Sequence, residues 1–266
     1  YNGFFVIVGV YLWMMMERRM NKYTHAAGMS AFIWRLILTT GTGSIFGFLV
    51  ARQAYDAALM APMFIVMSFS FGLAIFLLVT MAAYKWTDRP FGDALFNRLK
   101  NLLGVFVAGV LYFVLVYHLT NLYATEHHGV EAFILRDGGI YTQLFWIGQI
   151  LLGSLLPLLL FYHPTWGKSR TLVGLGALLV IIGGLIQMYL IIIAGQVYPL
   201  EMFPGKEVSS TFSDGIINSY APSLPEVVLG VGGFAIALIM VVLAIKVLGF
   251  LPNSLADEDV DPHHKS

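Results

Sequence analysis

The 266-residue sequence contains no cysteine, and Asp, Glu, Lys and Arg make up only 11% of it. The first absence removes disulfides, Cys-ligated zinc, thiolate-held iron–sulfur clusters and a thiol nucleophile from what this chain does by itself. The second excludes a water-soluble domain, which carries about 25% charged residues. Fifteen Lys and Arg balance fifteen Asp and Glu, so there is no net charge with which to hold a nucleic acid or another polyanion. Histidine is also scarce, at seven residues. A bis-histidine haem needs facing pairs inside apolar runs. Only His118 lies at depth in such a run, which leaves His25 and His163, near run ends on one side, as the remaining haem pair. His127 and His128, adjacent in EHHGVE, are a candidate metal cluster whose side chains diverge on most backbones. A redox centre would then be a His-held haem or a diffusible carrier.

What the sequence has in abundance is apolar length: 58% of residues are A, V, I, L, M, F, W, Y or C. About 20 such residues at a helical rise of 1.5 Å cross the ~30 Å of hydrocarbon in a bilayer. Seven acid-poor runs qualify, at about 2 to 16, 27 to 51, 61 to 84, 101 to 121, 144 to 163, 171 to 196 and 226 to 251. They are continuously apolar and lack the alternation of barrel strands, so the expected fold is all-α, a polytopic transmembrane helix bundle over 1–251. The first run is short and follows Tyr1 without a basic n-region or a cleavage site, as expected of the continuation of a longer chain. Two connections are long, 122–143 and 197–225. Both mix aliphatic and aromatic residues among polar ones, which predicts folded caps.

Basic residues alternate from loop to loop. Nine (Arg18, Arg19, Lys22, Lys85, Arg89, Arg98, Lys100, Lys168 and Arg170) fall on one side, and Arg52, Arg136 and Lys206 on the other. Because short basic loops stay cytoplasmic, the first side is expected inside, with the acidic tail 252–266, in a multi-pass protein of the cell inner (cytoplasmic) membrane. The outer side holds eight acids: Asp56, Glu126, Glu131, Asp137, Glu201, Glu207, Asp214 and Glu226.

Few polar residues interrupt the spans. Arg35 sits about 12 Å into the second run by helical rise, where its charge must face protein or water. Thr39 and Thr42 follow on the same face and complete a stripe that reads either as a proton path or as a snorkelling Arg with back-bonded threonines. Asp56, His118 and Glu226 end three different runs at the outer level, with Tyr123, Tyr220, Arg52 and Gln53 as neighbours. A hydroquinone loses two protons with its two electrons, so carboxylates and an imidazole beside an apolar channel suit a quinone site; the other reading is that these acids, tyrosines and His118 are solvated or capping groups at helix ends. Gly43 with Gly47, Gly183-Gly184 and GVGG at 230–233 predict close helix contacts. Pro157 predicts a kink with a carbonyl freed near mid-membrane, where Gln149 and Gln187 offer amides.

The segments AALMAPMFIVMSFSFGLAIFLL (57–78), LFWIGQILLGSLLPLLLFYHP (144–164) and YAPSLPEVVLGVGGFAIAL (220–238), in this order and spacing, resemble the NrfD/PsrC family of polysulfide-reductase-type membrane subunits. The loop HHGVEAFILRDGGIYTQLFW is most similar to the DsrP branch, from the DsrMKJOP complexes. The resemblance implies a membrane subunit without haem or iron–sulfur cluster of its own. Such a subunit binds exchangeable menaquinone or menaquinol near the outer face and passes electrons to or from a ferredoxin-like iron–sulfur subunit. Further partners are cytochrome c-type and b-type subunits, and sulfur-compound respiration is the setting. It implies quinone roles for Asp56, Tyr220 and Glu226; the residues themselves add His118 and Tyr123, with Arg35, Thr39 and Thr42 as the proton path. The competing function is a secondary transporter or channel for a small anion or proton, with Arg35 as its midplane site. That reading calls for an inverted repeat with paired broken helices, and the sequence has neither.

Overall fold

A computed structural model describes residues 1–200, 215–249 and 251–260. Seven helices match the seven apolar runs: α1 Asn2–Met16, α2 Thr24–Gly47, α3 Met60–Trp86, α4 Asp93–Tyr123, α5 Ile140–Tyr162, α6 Arg170–Val197 and α7 Leu224–Val247. A short α8, Asp257–Val260, follows. Helices α3 to α7 are each long and apolar enough to cross a membrane. Helix α2 has the length, at 24 residues, but carries Arg35 and several threonines; α1 has 15 residues. There is no strand among the described residues, and the protein is a polytopic helix bundle.

Lipid tails are as apolar as Leu, so burying aliphatic side chains does not by itself pull these helices together. Close backbone approach does. Gly153 on α5 and Gly183 on α6 meet so tightly that a Cβ on Gly153 would lie 2.6 Å from the Gly183 Cα. Gly43 on α2 fits against Met60 and Ala61 of α3, where a Cβ would meet the Ala61 Cα at 2.7 Å, and Gly184 receives the ring of Phe71. The GVGG run behaves differently from expectation: a Cβ on Gly230, Gly232 or Gly233 meets nothing within 4 Å, because no residue of α7 is buried against the rest of the described chain.

Helices α3, α4, α5 and α6 form the core, with α2 on the outside of α3 and α1 on α2. Two apolar clusters fill it. One, around Met60, Met63, Val114, Phe133, Phe145 and Leu190, lies toward the acid-rich end. The other, around Ala74, Leu77, Leu103, Val107, Phe161 and Val173, lies toward the basic end. The expected kink at Pro157 takes the form of a widened coil. Residues Leu144–Leu155 run as a π-helix before returning to α-helix at Leu156–Tyr162, whose first turn contains Pro157. Proline supplies no amide to the carbonyls before it, and the Ser154 hydroxyl donates to the Gln149 carbonyl at 3.1 Å inside the widened stretch.

The 122–143 connection is folded, as helical turns over Thr125–His127, His128–Ala132 and Phe133–Asp137. Of the 197–225 connection, residues 201–214 lie outside the described residues, as do His263 and His264 of the tail. The first part of the tail returns to the basic end of the core. Arg89 Nη1 donates to the carbonyls of Leu251 and Pro252 at 2.8 and 3.1 Å, and Tyr84 Oη donates to that of Pro252. The Asp257 carboxylate accepts from the Asp93 and Ala94 amides at 3.2 and 2.9 Å, capping the start of α4.

Gly183→Leu should therefore force α5 and α6 apart and cost roughly 1–3 kcal/mol of overpacking, read as a lower melting temperature in detergent. Gly232→Leu should leave that temperature unchanged.

Candidate functional site

The polar residues that the core does bury are concentrated in its acid-end half. In the 128–132 turn Glu131 points inward and is 0% exposed. Its two carboxylate oxygens are each taken: Asn121 Nδ2 donates to Oε1 at 2.9 Å, and His118 Nδ1 lies 2.7 Å from Oε2. Asn121 and His118 are three residues apart on α4 and so share the face that looks at the turn. With Glu131 as carboxylate and the imidazole neutral, the ring proton sits on Nδ1 and the lone pair on Nε2. Burial of a carboxylate demands such donors, since an uncompensated charge in this setting costs several kcal/mol.

The surrounding shell fixes the imidazole. Its ring meets Tyr117 and Phe145 edge-on, at centroid distances of 5.1 and 4.8 Å. Tyr117 Oη donates to the Ala54 carbonyl at 2.6 Å, which ties α4 to the segment before α3. Beyond His118 lies a cavity of about 40 Å³, lined by Met60, Met63, Tyr117, His118, Gln149 and Gln187 among others. Gln149 and Gln187 are 6% and 3% exposed. Gln187 Nε2 has no hydrogen-bond partner among the described residues, an omission that costs roughly 1–3 kcal/mol if nothing else fills it.

A second, larger groove of about 340 Å³ lies on the other side of α3, lined by Arg35, Thr39, Thr42, Phe64, Met67 and Tyr1 among others. The stripe expected from the sequence is thus gathered on one groove. Its threonines, however, donate to their own helix: Thr39 to the Arg35 carbonyl and Thr42 to that of Leu38, both at 2.9 Å. The Arg35 guanidinium stacks over Phe4 at 5.7 Å.

A match to the family model for "Polysulphide reductase, NrfD" covers residues 1–200. The chain belongs to the NrfD family. Among curated relatives, it is 27% identical over 264 residues to the Hdr-like menaquinol oxidoreductase integral membrane subunit of Archaeoglobus fulgidus, covering 98% of this chain and 66% of that protein. It is 29% identical over 228 residues to a selenate reductase subunit of Mesobacillus selenatarsenatis, covering 86% and 52%. It is 26% identical over 255 residues to a protein of Halobacterium salinarum named as a putative dimethyl sulfoxide reductase membrane subunit, covering 91% and 56%. The chain thus spans about half to two thirds of the length of these relatives. No solved structure matches it. The bundle described above is that of an NrfD-family membrane protein.

Of the site residues expected from the sequence of this NrfD-family chain, His118 reaches the small cavity and Asp56, Tyr123, Tyr220 and Glu226 do not. Asp56 is partly buried in the segment before α3. Tyr123 ends α4 and is 91% exposed. Tyr220 and Glu226 come together, the phenol donating to Glu226 Oε2 at 3.3 Å, while the same oxygen accepts from the Ser223 amide at 2.7 Å in a capping box at the start of α7. Arg52 donates to the carbonyls of Gln196 and Tyr198 near the end of α6. His127 and His128 do not converge: one bonds the Gln53 carbonyl and the other that of Leu122. His163 bonds Thr165 and stacks on Trp166. Glu131 as an inward-facing group and Asn121 as its partner are what reading the sequence missed, whereas Gln149 and Gln187, expected as amides near mid-membrane, do line the cavity. The one available signal was the run GVEAFIL, an acid set among apolar residues inside a polar loop.

Glu131→Leu should strip two buried donors of their acceptor and cost roughly 1–3 kcal/mol for each, seen as a fall in melting temperature. Glu131→Gln should keep the melting temperature but offer His118 an N–H. That moves the imidazole proton to Nε2, a change visible in the ring ¹⁵N shifts.

Proposed function

We propose that this chain is the quinone-reactive membrane subunit of a multisubunit oxidoreductase. In this reading it exchanges electrons between menaquinol or menaquinone and a ferredoxin-like iron–sulfur subunit, in the inner membrane. The observation that carries it is the buried Glu131–His118–Asn121 cluster at a cavity in an otherwise apolar bundle of the NrfD family. Quinol oxidation releases two electrons and two protons. The electrons need a partner with redox centres, and the protons need a base within reach of the ring. His118 Nε2 supplies that base for one proton at a time, passing the first to the acid-rich side before it takes the second. Before transfer the cluster carries a net charge of one negative unit; after it, an imidazolium–carboxylate pair of zero net charge, an arrangement that an apolar setting tolerates better.

A cavity of about 40 Å³ admits water and not a quinone ring. The ring therefore sits at its mouth, where the His118 side chain is 13% exposed and Phe145 packs edge-on against the half-exposed Trp146. Asp56, Tyr123, Tyr220 and Glu226 belong to the acid-end approach. Proton transfer is assigned to His118 and Glu131 ahead of Arg35, Thr39 and Thr42, because the two threonine hydroxyls already donate to helical carbonyls. The name of the Archaeoglobus fulgidus relative supports menaquinol as the reductant. The resemblance to DsrP supports sulfur-compound respiration and cytochrome c-type and b-type partners.

In the purified complex, His118→Gln and Glu131→Gln should each slow menaquinol oxidation about 10²- to 10⁴-fold, the usual worth of a positioned base, while every partner chain stays in place. Wild-type turnover in both variants would overturn the assignment.

A further inference from the structure

The core contains a second set of buried polar groups that the reading above does not use. Below His118 on the way to the basic end come Gln149 and Gln187, then Ser154 and Ser70, which are 5% and 1% exposed. They line two chambers. The first is the cavity of about 40 Å³ at His118; the second, of about 10 Å³, is bounded by Ser70, Val107, Gly153, Ser154, Val180 and Gly183. Gln149 and Gln187 line both. A buried water needs roughly 10–15 Å³ and two to four polar partners, so the first chamber has room to spare and the second is at the lower limit. Gln187 Nε2 is a buried donor left without an acceptor among the described residues, and a water accepting from it would satisfy it.

Past the serines the character changes. Ala74, Leu77, Leu103, Val173 and Ala177 are 0% exposed, Val107 and Phe161 1%. The next buried polar group on α4 is Lys100, whose ammonium donates to the Gly167 carbonyl. Seven residues separate Val107 from Lys100, about 10 Å of helix with no buried polar side chain on α4. Eleven separate His118 from Val107, about 16 Å, or half the hydrocarbon thickness.

We infer that the two chambers hold ordered water on Gln149 and Gln187, forming a half-channel that continues inward from His118 and Glu131 and stops at Ser70 and Ser154. The four-helix core then exchanges protons with the acid-rich side alone. The wide coil of α5 belongs to this arrangement, since Gln149, Gly153 and Ser154 all lie within Leu144–Leu155. The water site stands on geometry alone, and its role in proton exchange rests on the quinone reading.

The first test separates the two. Hydroxyl-radical footprinting of the intact complex labels side chains beside bound water. Met60 and Met63, 1% and 2% exposed, should be oxidised well above the level expected of dry core, and Gln187→Leu should cut that labelling several-fold while Phe161 stays unlabelled in both. Gln187→Met serves if the Leu variant does not accumulate. Absence of labelling at both methionines in the wild type overturns the water site, whatever the enzyme turns over. The second test uses the complex in proteoliposomes with pH dyes on each side. Gln187→Leu should slow proton release on the acid-rich side and leave any uptake from the basic side unchanged. Basic-side uptake that vanishes in Gln187→Leu would show a through-channel and overturn the confinement.

Discussion

A carboxylate inside a lipid-embedded bundle has to be matched atom by atom, and the organisation of the acid-end half follows from how Glu131 is matched. Asn121 and His118 both lie on α4, so the turn carrying Glu131 is pinned against that helix. Tyr117, one residue from His118, bonds Ala54 and fixes the approach to α3. His127, in the turn preceding Glu131, bonds Gln53 in the same α2–α3 connection. These tie points convert a connection between spans into a lid of fixed shape, and they dictate which imidazole nitrogen is free. Chemistry and packing are thus set by one buried charge: the group that orders the lid also selects the tautomer of the neighbouring base.

The bundle is correspondingly asymmetric across its thickness. One half carries amides, hydroxyls and the His–Glu pair; the other is an aliphatic plug closed by Lys100, Arg89 and Arg170 at the basic end. Small residues make both halves possible, because α5 and α6 touch backbone to backbone at Gly153 and Gly183, where the polar chambers give way to the plug. In a bilayer such contacts contribute more to association than further aliphatic burial does.

The spans were legible because twenty consecutive apolar residues have few other uses, and all seven runs became helices. The 122–143 segment was legible as folded from its aliphatic content. What could not be read was direction within a turn. Glu131 looks like any outer-loop acid until the chain doubles back and aims it at α4, a juxtaposition across 13 residues that no helical periodicity reports. The widening of α5 was equally hidden, since Pro157 announces a disturbance without specifying a π-coil as the way it is absorbed. The glycines of GVGG carry the same signature as Gly183, yet among the described residues Gly183 meets a neighbour and they do not; small side chains permit contact and do not select a partner.

The cap on α4 has a bearing on biogenesis. Asp93 and Ala94 are among the first amides of their helix, and the carboxylate that satisfies them belongs to a residue translated more than 160 positions later. A ribosome adding about 5–20 residues per second leaves those amides to the interfacial solvent for many seconds. Helix α4 is finished only when the stretch around Asp257 has been synthesised and threaded back beneath α3. Closure of the basic end of α4 is in that sense signalled from a segment made after α7, and a chain cut short before Asp257 would still carry α1 to α7 yet lack the latch on α4.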